Sequence, residues 1–409
     1  MLTSAQAFDP TERSPHHRRT LLLLSLATLG SISTWFSMTA VLPEITRLWQ
    51  LSDTQASLIT VAVQAGFVAG SLCVAFLNLP DRIAPPTLFA GAALLAGSFT
   101  MATPLLANSL WEALILRFLT GCSLAGVYGP GVKLMATWFR TRRGMALGVM
   151  IAALTVGSAF PHLIRAVGAP SWRYMMLVTG GLALLSGLLV RTSVGAGPYP
   201  LTPAQFSLTA IPNLFRDRAY RLINFGYWGH MWELYAMWAW FGAFGAASLA
   251  ALGVESPGLA SLLTFGVIAV GGVGAWGGGL LADRFGRERL TIWSMLLSGA
   301  CCLLIGFTFG APPWLTALLA VVWGIGIIAD SAQFSALVTE RAAPEYVGTA
   351  VTLQLAVGFA ITMLSIRVVP WVVSLVGWTY AFWILAPGPL LGSLAMHLLR
   401  SRSAARQKV

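Results

Sequence analysis

The chain has 409 residues, of which 57% are hydrophobic and only 10% carry a charge. Because soluble domains contain about 25% charged residues, this composition excludes an ordinary soluble protein and indicates an integral membrane protein. The formal net charge is +11, but the basic residues form short clusters between apolar segments instead of one continuous face, which argues against a nucleic-acid partner.

Twelve apolar segments follow one another along the chain. Each is about 20 residues long, the length that crosses a hydrocarbon core of ~30 Å. We predict the first six membrane spans at Thr20–Leu42, Gln55–Leu79, Thr87–Ala107, Leu110–Ala136, Gly144–Val167 and Trp172–Arg191. The second six are predicted at Ile223–Ala247, Gly258–Ala282, Leu290–Phe309, Trp314–Val338, Val347–Val369 and Trp378–Leu399. The expected fold is an all-α membrane protein with twelve transmembrane helices.

The basic residues distinguish the two sides of the predicted membrane. The connections after the second, fourth and eighth spans carry many arginines, including Arg82, Arg140 and Arg284, whereas Arg47 and Arg173 are the clear cases on the other side. By the positive-inside rule, the arginine-rich side is cytoplasmic and both termini lie there. The first span is too long for the apolar part of a signal peptide, so we expect an uncleaved first helix.

The sequence divides into two similar halves. QASLIT (Gln55–Thr60) recurs as LASLLT (Leu259–Thr264), and SWRYMM (Ser171–Met176) as GWTYAF (Gly377–Phe382), at an offset of roughly 200 residues. Parallel repeats of this kind are one architecture of secondary transporters. The predicted regions are a cytoplasmic tail (1–19), a six-helix bundle (20–192), a cytoplasmic central loop (193–219), a second six-helix bundle (220–399) and a basic cytoplasmic tail (400–409).

The connection after the eighth span contains the segment GLLADRFGRER (Gly279–Arg289). It resembles the loop signature of the major facilitator superfamily, and the matching residues are Gly279, Asp283, Arg284, Gly286 and Arg287. The copy in the first half keeps Asp81 and Arg82, but Leu77, Ala84 and Pro85 replace the expected glycines and basic residue. The resemblance extends from the first span to the twelfth. It implies two pseudo-symmetric six-helix bundles around a cavity lined by the first, fourth, seventh and tenth spans.

The charges of this motif suggest a gate. An aspartate at the cytoplasmic end of a helix can pair with arginines and with the positive N-terminus of a neighbouring helix. We therefore predict that the motif residues of the two copies latch the cytoplasmic side closed. The alternative is that these charges only set the topology.

Two further signatures of the family are incomplete. Arg117 is followed by Gly121, as in the membrane-embedded arginine motif of proton-coupled members, but Thr120 replaces the usual glutamine. Gly148 and Gly157 keep the spacing of the antiporter signature, whereas its Gly-Pro pair is absent in register. This departure weighs against an exporter and leaves uptake and export both open.

Few ionisable side chains lie at membrane depth, where each costs about 2.5–3.5 kcal/mol on insertion scales, so each is a functional hypothesis. His230 and Glu233 share a face of the seventh span. We predict that Glu233 binds and releases a proton as the cavity alternates sides, and that His230 adjusts its proton affinity. The alternative is an ion-paired clamp between helices. Asp330 in the tenth span is a second candidate proton site, or forms an interhelical hydrogen bond.

Polar and aromatic residues complete the predicted cavity. Arg117 could bind a substrate carboxylate or form an internal salt bridge with an acidic side chain, and the salt bridge is favoured. Gln333 shares a face with Asp330 and could contact substrate. The other predicted cavity residues are Trp35, Gln64, Tyr128, Tyr227 and Gln354, with Trp232 and Trp276 as further aromatic residues to test.

Several classes of chemistry find no support in the sequence. It contains no GxxxxGK[ST] loop, no catalytic triad pattern and no spacing of cysteine or histidine typical of a metal site. We therefore expect neither enzymatic activity nor a cofactor or metal, and we do not expect ATP as the direct energy source.

The sequence thus predicts a secondary active transporter that moves a small organic solute or anion by alternating access, coupled to protons. We expect a monomer in a lipid bilayer, the inner membrane of a bacterium. The alternative is a proton-driven efflux antiporter for drugs or metabolites, because a Trp-rich seventh span with a buried acid would suit lipophilic cations. A non-transporting scaffold or sensor of the same fold is the third hypothesis.

Overall fold

The computed structural model describes residues 12, 14–168, 171–199 and 206–406, and within these residues it contains helices and turns but no β-strand. The all-α fold class predicted from the apolar spans is confirmed. Parts of the predicted tails and central loop, at positions 1–11, 13, 200–205 and 407–409, lie outside the described residues.

The helices alternate with short connections along the whole described chain. Those of the first half are α1 (Pro15–Ile32), α2 (Ser37–Ala40), α3 (Leu42–Leu48), α4 (Asp53–Phe76), α5 (Leu79–Arg82), α6 (Pro85–Leu106), α7 (Leu110–Trp138), α8 (Arg143–Ala166) and α9 (Trp172–Ser193). The short α10 (Ile211–Arg216) leads to the second half, which contains α11 (Arg218–Ala251), α12 (Pro257–Ala269), α13 (Gly271–Phe285), α14 (Arg287–Leu304), α15 (Pro313–Ala329), α16 (Ser331–Arg341), α17 (Val347–Val376), α18 (Trp378–Ala381) and α19 (Pro387–Arg406). Short 3-10 turns lie at Leu208–Ala210, Ile305–Thr308, Pro344–Tyr346 and Phe382–Leu385.

Eleven helical segments within the described residues are long and apolar enough to cross a membrane. They correspond to the second to twelfth predicted spans, so the chain is a multi-pass membrane protein. Two of these segments are interrupted: α12 and α13 form the eighth span, and α15 and α16 form the tenth, with the break at Asp330.

The first predicted span, Thr20–Leu42, differs from the prediction because it is not one continuous helix. α1 ends at Ile32, and the short helices α2 and α3 follow. At the break, the hydroxyl groups of Ser33 and Thr34 donate to the carbonyl oxygens of Gly30 and Ser31 over 2.7 and 2.8 Å. Such contacts compete with helical hydrogen bonds, so the chain turns here and its next carbonyl groups accept bonds from other helices.

The two halves meet along two seams, where α4 packs against α17 and α8 packs against α12 and α13. Within the second half, α13 packs closely on α15. A Cβ atom at Gly274 or Gly278 would lie only 2.3 Å from the carbonyl oxygen of Ile325 or 2.2 Å from that of Ala329. Helices in lipid associate by such close packing of small residues, which explains the Gly-rich stretch of the eighth span.

The connection between α7 and α8 is held by Glu12 of the N-terminal segment. Its carboxylate accepts hydrogen bonds from the backbone N–H groups of Arg140, Thr141 and Arg142 over 2.7 to 2.9 Å, and from the hydroxyl of Thr141 over 2.7 Å. Burial by itself raises the pKa of Glu12, but these hydrogen bonds outweigh it, and its pKa lies below the ordinary 4.5. The ionised Glu12 therefore fixes the start of α8, a helix that lines the central cavity.

Candidate functional site

A cavity of about 580 Å³ lies between the two halves. The break after α1 and helices α4, α7 and α8 line it from the first half, and α11, α13, α16 and α17 contribute most of the wall from the second half. Among the described lining residues, the charged side chains are Arg143, Asp283, Arg287 and Glu340. Asp283 and Glu340 are exposed, whereas the aromatic residues at the opposite end are buried or half-buried. The cavity therefore opens at its charged end, here called the mouth, and is closed at the other.

Aromatic side chains from both halves close the inner end. We define the aromatic box as Trp35, Phe67, Tyr128, Tyr235, Trp238 and Phe359. The centre of the Trp35 ring lies 4.8 Å from that of Phe67 and 5.8 Å from that of Tyr235, and Tyr235 lies 5.2 Å from Phe359. Phe67 and Phe359 approach to 4.4 Å. Ring contacts thus join the halves at the closed end.

The cavity wall carries hydrogen-bonding groups without partners. Within the described residues, the hydroxyl groups of Tyr128, Tyr227 and Tyr235 form no hydrogen bond. The indole N–H groups of Trp35 and Trp238 are buried and also lack a partner there. The two indole nitrogens expose almost no surface, so they face protein and not the cavity, and the hydroxyl groups are the ones a ligand could reach.

A buried acid–base pair lies beside the cavity. The Nδ1 atom of His230 on α11 is 2.9 Å from Oδ1 of Asp330, and their side chains are only 1% and 2% exposed. The ring of Tyr227 lies 6.1 Å from the ring of His230, and both Tyr227 and Ser331, the neighbour of Asp330, line the cavity. The pair is thus one residue away from the cavity wall.

Glu233 has a different environment from the one predicted. Its oxygens accept hydrogen bonds from the indole N–H of Trp323 at 2.6 Å, the hydroxyl of Ser298 at 2.9 Å and the thiol of Cys302 at 3.1 Å. The residue is 1% exposed, and neither it nor these partners line the cavity. His230, expected to be the closest partner of Glu233, instead faces Asp330. The three donors could not be predicted, because they are neutral residues on other helices.

Arg117 is buried against the break after α1. Its guanidinium donates to the carbonyl oxygens of Thr34 at 2.8 Å and Trp35 at 2.6 Å, and to the hydroxyl of Ser37 at 3.3 Å. The predicted internal salt bridge is wrong, because no acidic side chain in the described part of the chain pairs with Arg117. The broken helix supplies carbonyl groups in its place, and the side chain does not reach the cavity wall.

The remaining predicted cavity residues separate into two groups. Trp35, Tyr128, Tyr227, Gln333 and also Trp276 line the cavity. Gln64 and Gln354 do not line it, although both are fully buried. The side-chain oxygen of Gln354 accepts a hydrogen bond from the hydroxyl of Ser335 at 3.4 Å, so it is directed at α16 and not at the cavity. Trp232 points away, with its indole N–H bonded to the carbonyl oxygen of Ile384 at 2.9 Å.

The predicted gate motif lies at the mouth. Gly286 has φ of +90°, a conformation that glycine adopts without strain. It turns the chain so that Arg287 bonds Oε1 of Gln333 at 2.7 Å and Oε1 of Glu340 at 2.9 Å. Gly279 and Asp283 line the cavity, and the guanidinium of Arg284 lies over the ring of Phe285.

The first-half copy of the motif is arranged differently. Asp81 pairs with Lys133 of α7, and Lys133 also donates to the carbonyl oxygen of Pro80 at 2.9 Å. Arg82 is exposed. The ion pair of Asp81 and the ion pair of Arg287 therefore each lie within one half.

Comparison with known proteins identifies a family and several relatives of this chain. A family model described as Major Facilitator Superfamily matches residues 24–276 and 234–409. The chain is 31% identical over 153 residues to the 3-(3-hydroxy-phenyl)propionate transporter of Escherichia coli (strain K12), which covers 35% of this chain and 37% of that protein. It is 26% identical over 176 residues to the 4-hydroxybenzoate transporter PcaK of Pseudomonas putida, covering 42% and 38%. It is 26% identical over 172 residues to the galacturonate transporter of Dickeya chrysanthemi, covering 41% and 49%. The chain thus matches less than half the length of these relatives.

Solved structures share the fold over almost the whole chain. A bacterial homolog of the human lysosomal transporter Spinster, in an inward-facing and occupied conformation, matches with a TM-score of 0.73 and 15% identity, covering 95% of this chain and 97% of that one. Its inward-facing and unoccupied structure matches with a TM-score of 0.68 and 16% identity, covering 94% and 96%. At these identities the likeness concerns the fold alone.

Proposed function

Because the chain belongs to the Major Facilitator Superfamily, we propose that it is a secondary active transporter that moves small organic anions by alternating access, with protons as the coupling ion. The observation that carries this proposal is the cavity of about 580 Å³ between the halves, open at the mouth and closed by the aromatic box. Rocking of one half against the other around a central site exchanges the open side in transporters of this architecture.

An organic anion is the proposed substrate for two reasons. The relatives are named as transporters of a hydroxyphenylpropionate, a hydroxybenzoate and galacturonate, all organic acids. In addition, the buried positive charge of Arg117 lies directly behind Trp35, a residue of the cavity wall. A fixed positive charge near the closed end favours a negatively charged ligand. The distribution of arginines predicts that the mouth opens on the cytoplasmic side of a bacterial inner membrane.

We place the proton site at the pair formed by His230 and Asp330. A proton that enters the cavity reaches this pair through the wall residues Tyr227 and Ser331, which adjoin it. Glu233, the residue favoured by the sequence, lies behind the wall with three donors of its own. It remains the alternative proton site, and the two acids can be tested separately.

The test is transport by the purified full chain in proteoliposomes. An inside-alkaline pH gradient is imposed, and the uptake of benzoate, galacturonate and the lipophilic cation tetraphenylphosphonium is measured. We expect an organic anion to accumulate beyond the level in protein-free liposomes, where undissociated benzoic acid crosses the bilayer unaided, and a protonophore to abolish the accumulation. Release of preloaded tetraphenylphosphonium under the same gradient, without accumulation of an anion, would instead support the efflux antiporter, because protons that enter the vesicle then drive the cation out.

Two variants then distinguish the acids. Asp330→Asn should keep exchange of labelled for unlabelled anion across the membrane but lose accumulation driven by the pH gradient, because exchange needs no net proton movement. Glu233→Gln should keep both activities. The matched control is Asp53→Asn, an exposed acid at the start of α4. Full accumulation by Asp330→Asn together with its loss in Glu233→Gln would move the proton site to Glu233.

A further inference from the structure

Three tyrosine hydroxyl groups on the inner wall of the cavity are free to bind a ligand. Tyr128 of α7 belongs to the first half, whereas Tyr227 and Tyr235 of α11 belong to the second. None of the three hydroxyl groups has a partner among the described residues, and none is enclosed by protein, unlike the indole nitrogens of Trp35 and Trp238. Each therefore has a hydrogen to donate to a ligand in the cavity.

The three side chains surround one part of the wall. The Tyr235 ring lies 5.2 Å from that of Phe359 on α17. A Cβ atom at Gly358, the preceding residue, would lie only 2.4 Å from Cε1 of Tyr227, so the absence of a side chain there makes room for this ring. The hydroxyl of Tyr128 interacts electrostatically with those of Tyr227 and Tyr235, across the boundary between the halves. The hydroxyl groups are thus neighbours, although they come from different halves.

We propose that these hydroxyl groups bind the carboxylate of the transported anion, so that neutral donors from both halves hold its charge. This inference rests on the proposed transport of organic anions and assigns a site to the group that such anions share. The two cationic lining residues in the described chain, Arg143 and Arg287, lie at the mouth. Arg117 is bonded to the backbone of Thr34 and Trp35. A carboxylate at the inner wall therefore meets hydroxyl donors and not a cation.

A carboxylate suits three donors better than a neutral group does. A carbonyl or amide oxygen has two lone pairs, whereas a carboxylate offers about four acceptor positions. Bonds from a hydroxyl to an ionised oxygen are also shorter and about twice as strong as bonds between neutral groups. The buried guanidinium of Arg117, 2.6 Å from the carbonyl oxygen of Trp35, adds a fixed positive charge behind the wall. A carboxylate bonded to Tyr128 and Tyr235 at once would join the two halves.

The test is ligand binding to the purified full chain, measured by isothermal titration calorimetry so that transport is not required. Benzoate and galacturonate are the two carboxylate probes. Benzamide and galactose are their respective neutral counterparts, each with the same ring as its acid and a similar size. In whichever pair binds, we expect the carboxylate to bind about tenfold more tightly than its neutral counterpart.

Variants of one tyrosine from each half test the hydroxyl groups. Tyr128→Phe and Tyr235→Phe keep the ring and remove one hydroxyl, so each should lower the affinity for the carboxylate about tenfold and the affinity for its neutral counterpart by less. That difference distinguishes loss of a donor from a change in packing, which would affect both ligands alike. Tyr220→Phe is the control, because the hydroxyl of Tyr220 is bonded to the carbonyl oxygen of Ala350, and the residue does not line the cavity. This control should leave both affinities unchanged.

The outcomes separate this inference from the proposed function. Equal affinities for a carboxylate and its neutral counterpart, unchanged carboxylate binding in either variant, or binding of neither carboxylate at millimolar concentration would overturn the hydroxyl site. Proton-driven accumulation of an anion with an unchanged KM in both variants would also overturn it, while the transporter of organic anions would stand. Proteoliposomes that accumulate no organic anion would instead contradict the proposed function, whereas carboxylate binding that depends on Tyr128 and Tyr235 would still support the site.

Discussion

The two halves of the molecule use opposite charges for equivalent contacts. In the first half, Arg117 of α7 donates to the carbonyl oxygens of Thr34 and Trp35. In the second half, Trp323 of α15 donates to the carboxylate of Glu233 on α11. Arg117 and Trp323 are separated by the same number of residues as the repeat segments that begin at Ser171 and Gly377. The donor positions are thus equivalent, but the charge lies on the donor in one half and on the acceptor in the other.

The state of the accepting helix explains this difference. The first span is broken after Ile32, so backbone carbonyl groups near the break can accept bonds from another helix. The corresponding helix of the second half, α11, runs without a break from Arg218 to Ala251. Its carbonyl groups are used in the helix itself, and a side chain must act as the acceptor. In the first half, the broken helix therefore accepts hydrogen bonds from Arg117 through its backbone carbonyl groups. In the second half, the continuous α11 accepts them through the carboxylate of Glu233.

The strongest test of this comparison is Arg117→Leu. The change removes the guanidinium from the buried carbonyl groups of Thr34 and Trp35, of which Thr34 keeps a hydrogen bond from the hydroxyl of Ser37 at 2.8 Å. Lost hydrogen bonds to a charged group cost about 1.5–3 kcal/mol each. We expect the free energy of unfolding in detergent micelles, measured by chemical denaturation, to fall by about 3 kcal/mol or more. Arg191→Leu is the control, since Arg191 is exposed at the end of α9, and its effect should stay within about 0.5 kcal/mol.

If Arg117→Leu were as stable as the wild-type protein, the interruption of the first span would not depend on the guanidinium. The second-half contact would then have no energetic counterpart in the first half, and the comparison would fail.

A smaller effect is expected from Trp323→Phe in the second half. Loss of the indole N–H removes one of three donors to Glu233 and should lower the free energy of unfolding by about 1–2 kcal/mol. Trp228→Phe is the matched control on α11, because its buried indole N–H has no partner among the described residues. Combining Trp323→Phe with Glu233→Gln should give less than the sum of the two effects, since both act on one contact.

The fold could be predicted from the sequence because membrane spans are a local property of apolar length. The charged candidates could also be found, because ionisable residues at membrane depth are rare. Glu233, Asp330 and Arg117 all prove to be buried in polar contacts.

The partners of these residues could not be predicted, for three physical reasons. Arg117 binds backbone carbonyl groups, which side-chain patterns do not reveal. Glu233 binds Ser298 and Cys302, neutral residues that no sequence pattern marks as partners of an acid. The pairing of His230 with Asp330 depends on how two helices are rotated relative to each other, and hydrophobic periodicity in a span that is apolar on all sides does not fix that rotation.

The mouth does not repeat this reversal of charge. In the first half the acid lies on the connecting segment and the base on the fourth span, as Asp81 and Lys133. The second half has one pair of each order: Glu288 with Arg341, in which the base again lies on the tenth span, and Arg287 with Glu340, in which the acid lies there. The side chains of Asp81 and Lys133 are 19% and 24% exposed, and those of Arg287 and Glu340 are 31% and 52% exposed. Exposed pairs of this kind contribute about 0–1 kcal/mol.

The smallest expected effect therefore comes from Lys133→Gln and Glu340→Gln. Each should lower the free energy of unfolding by about 0.5 kcal/mol at physiological salt. The loss should vanish near 1 M salt, where the screening length falls to about 3 Å. The effect of Arg117→Leu should persist there, because its contacts exclude solvent. Glu255→Gln, at an exposed acid after α11, serves as the control without a salt effect. Salt-independent losses in the mouth variants would mean that these pairs are held by packing instead of by charge.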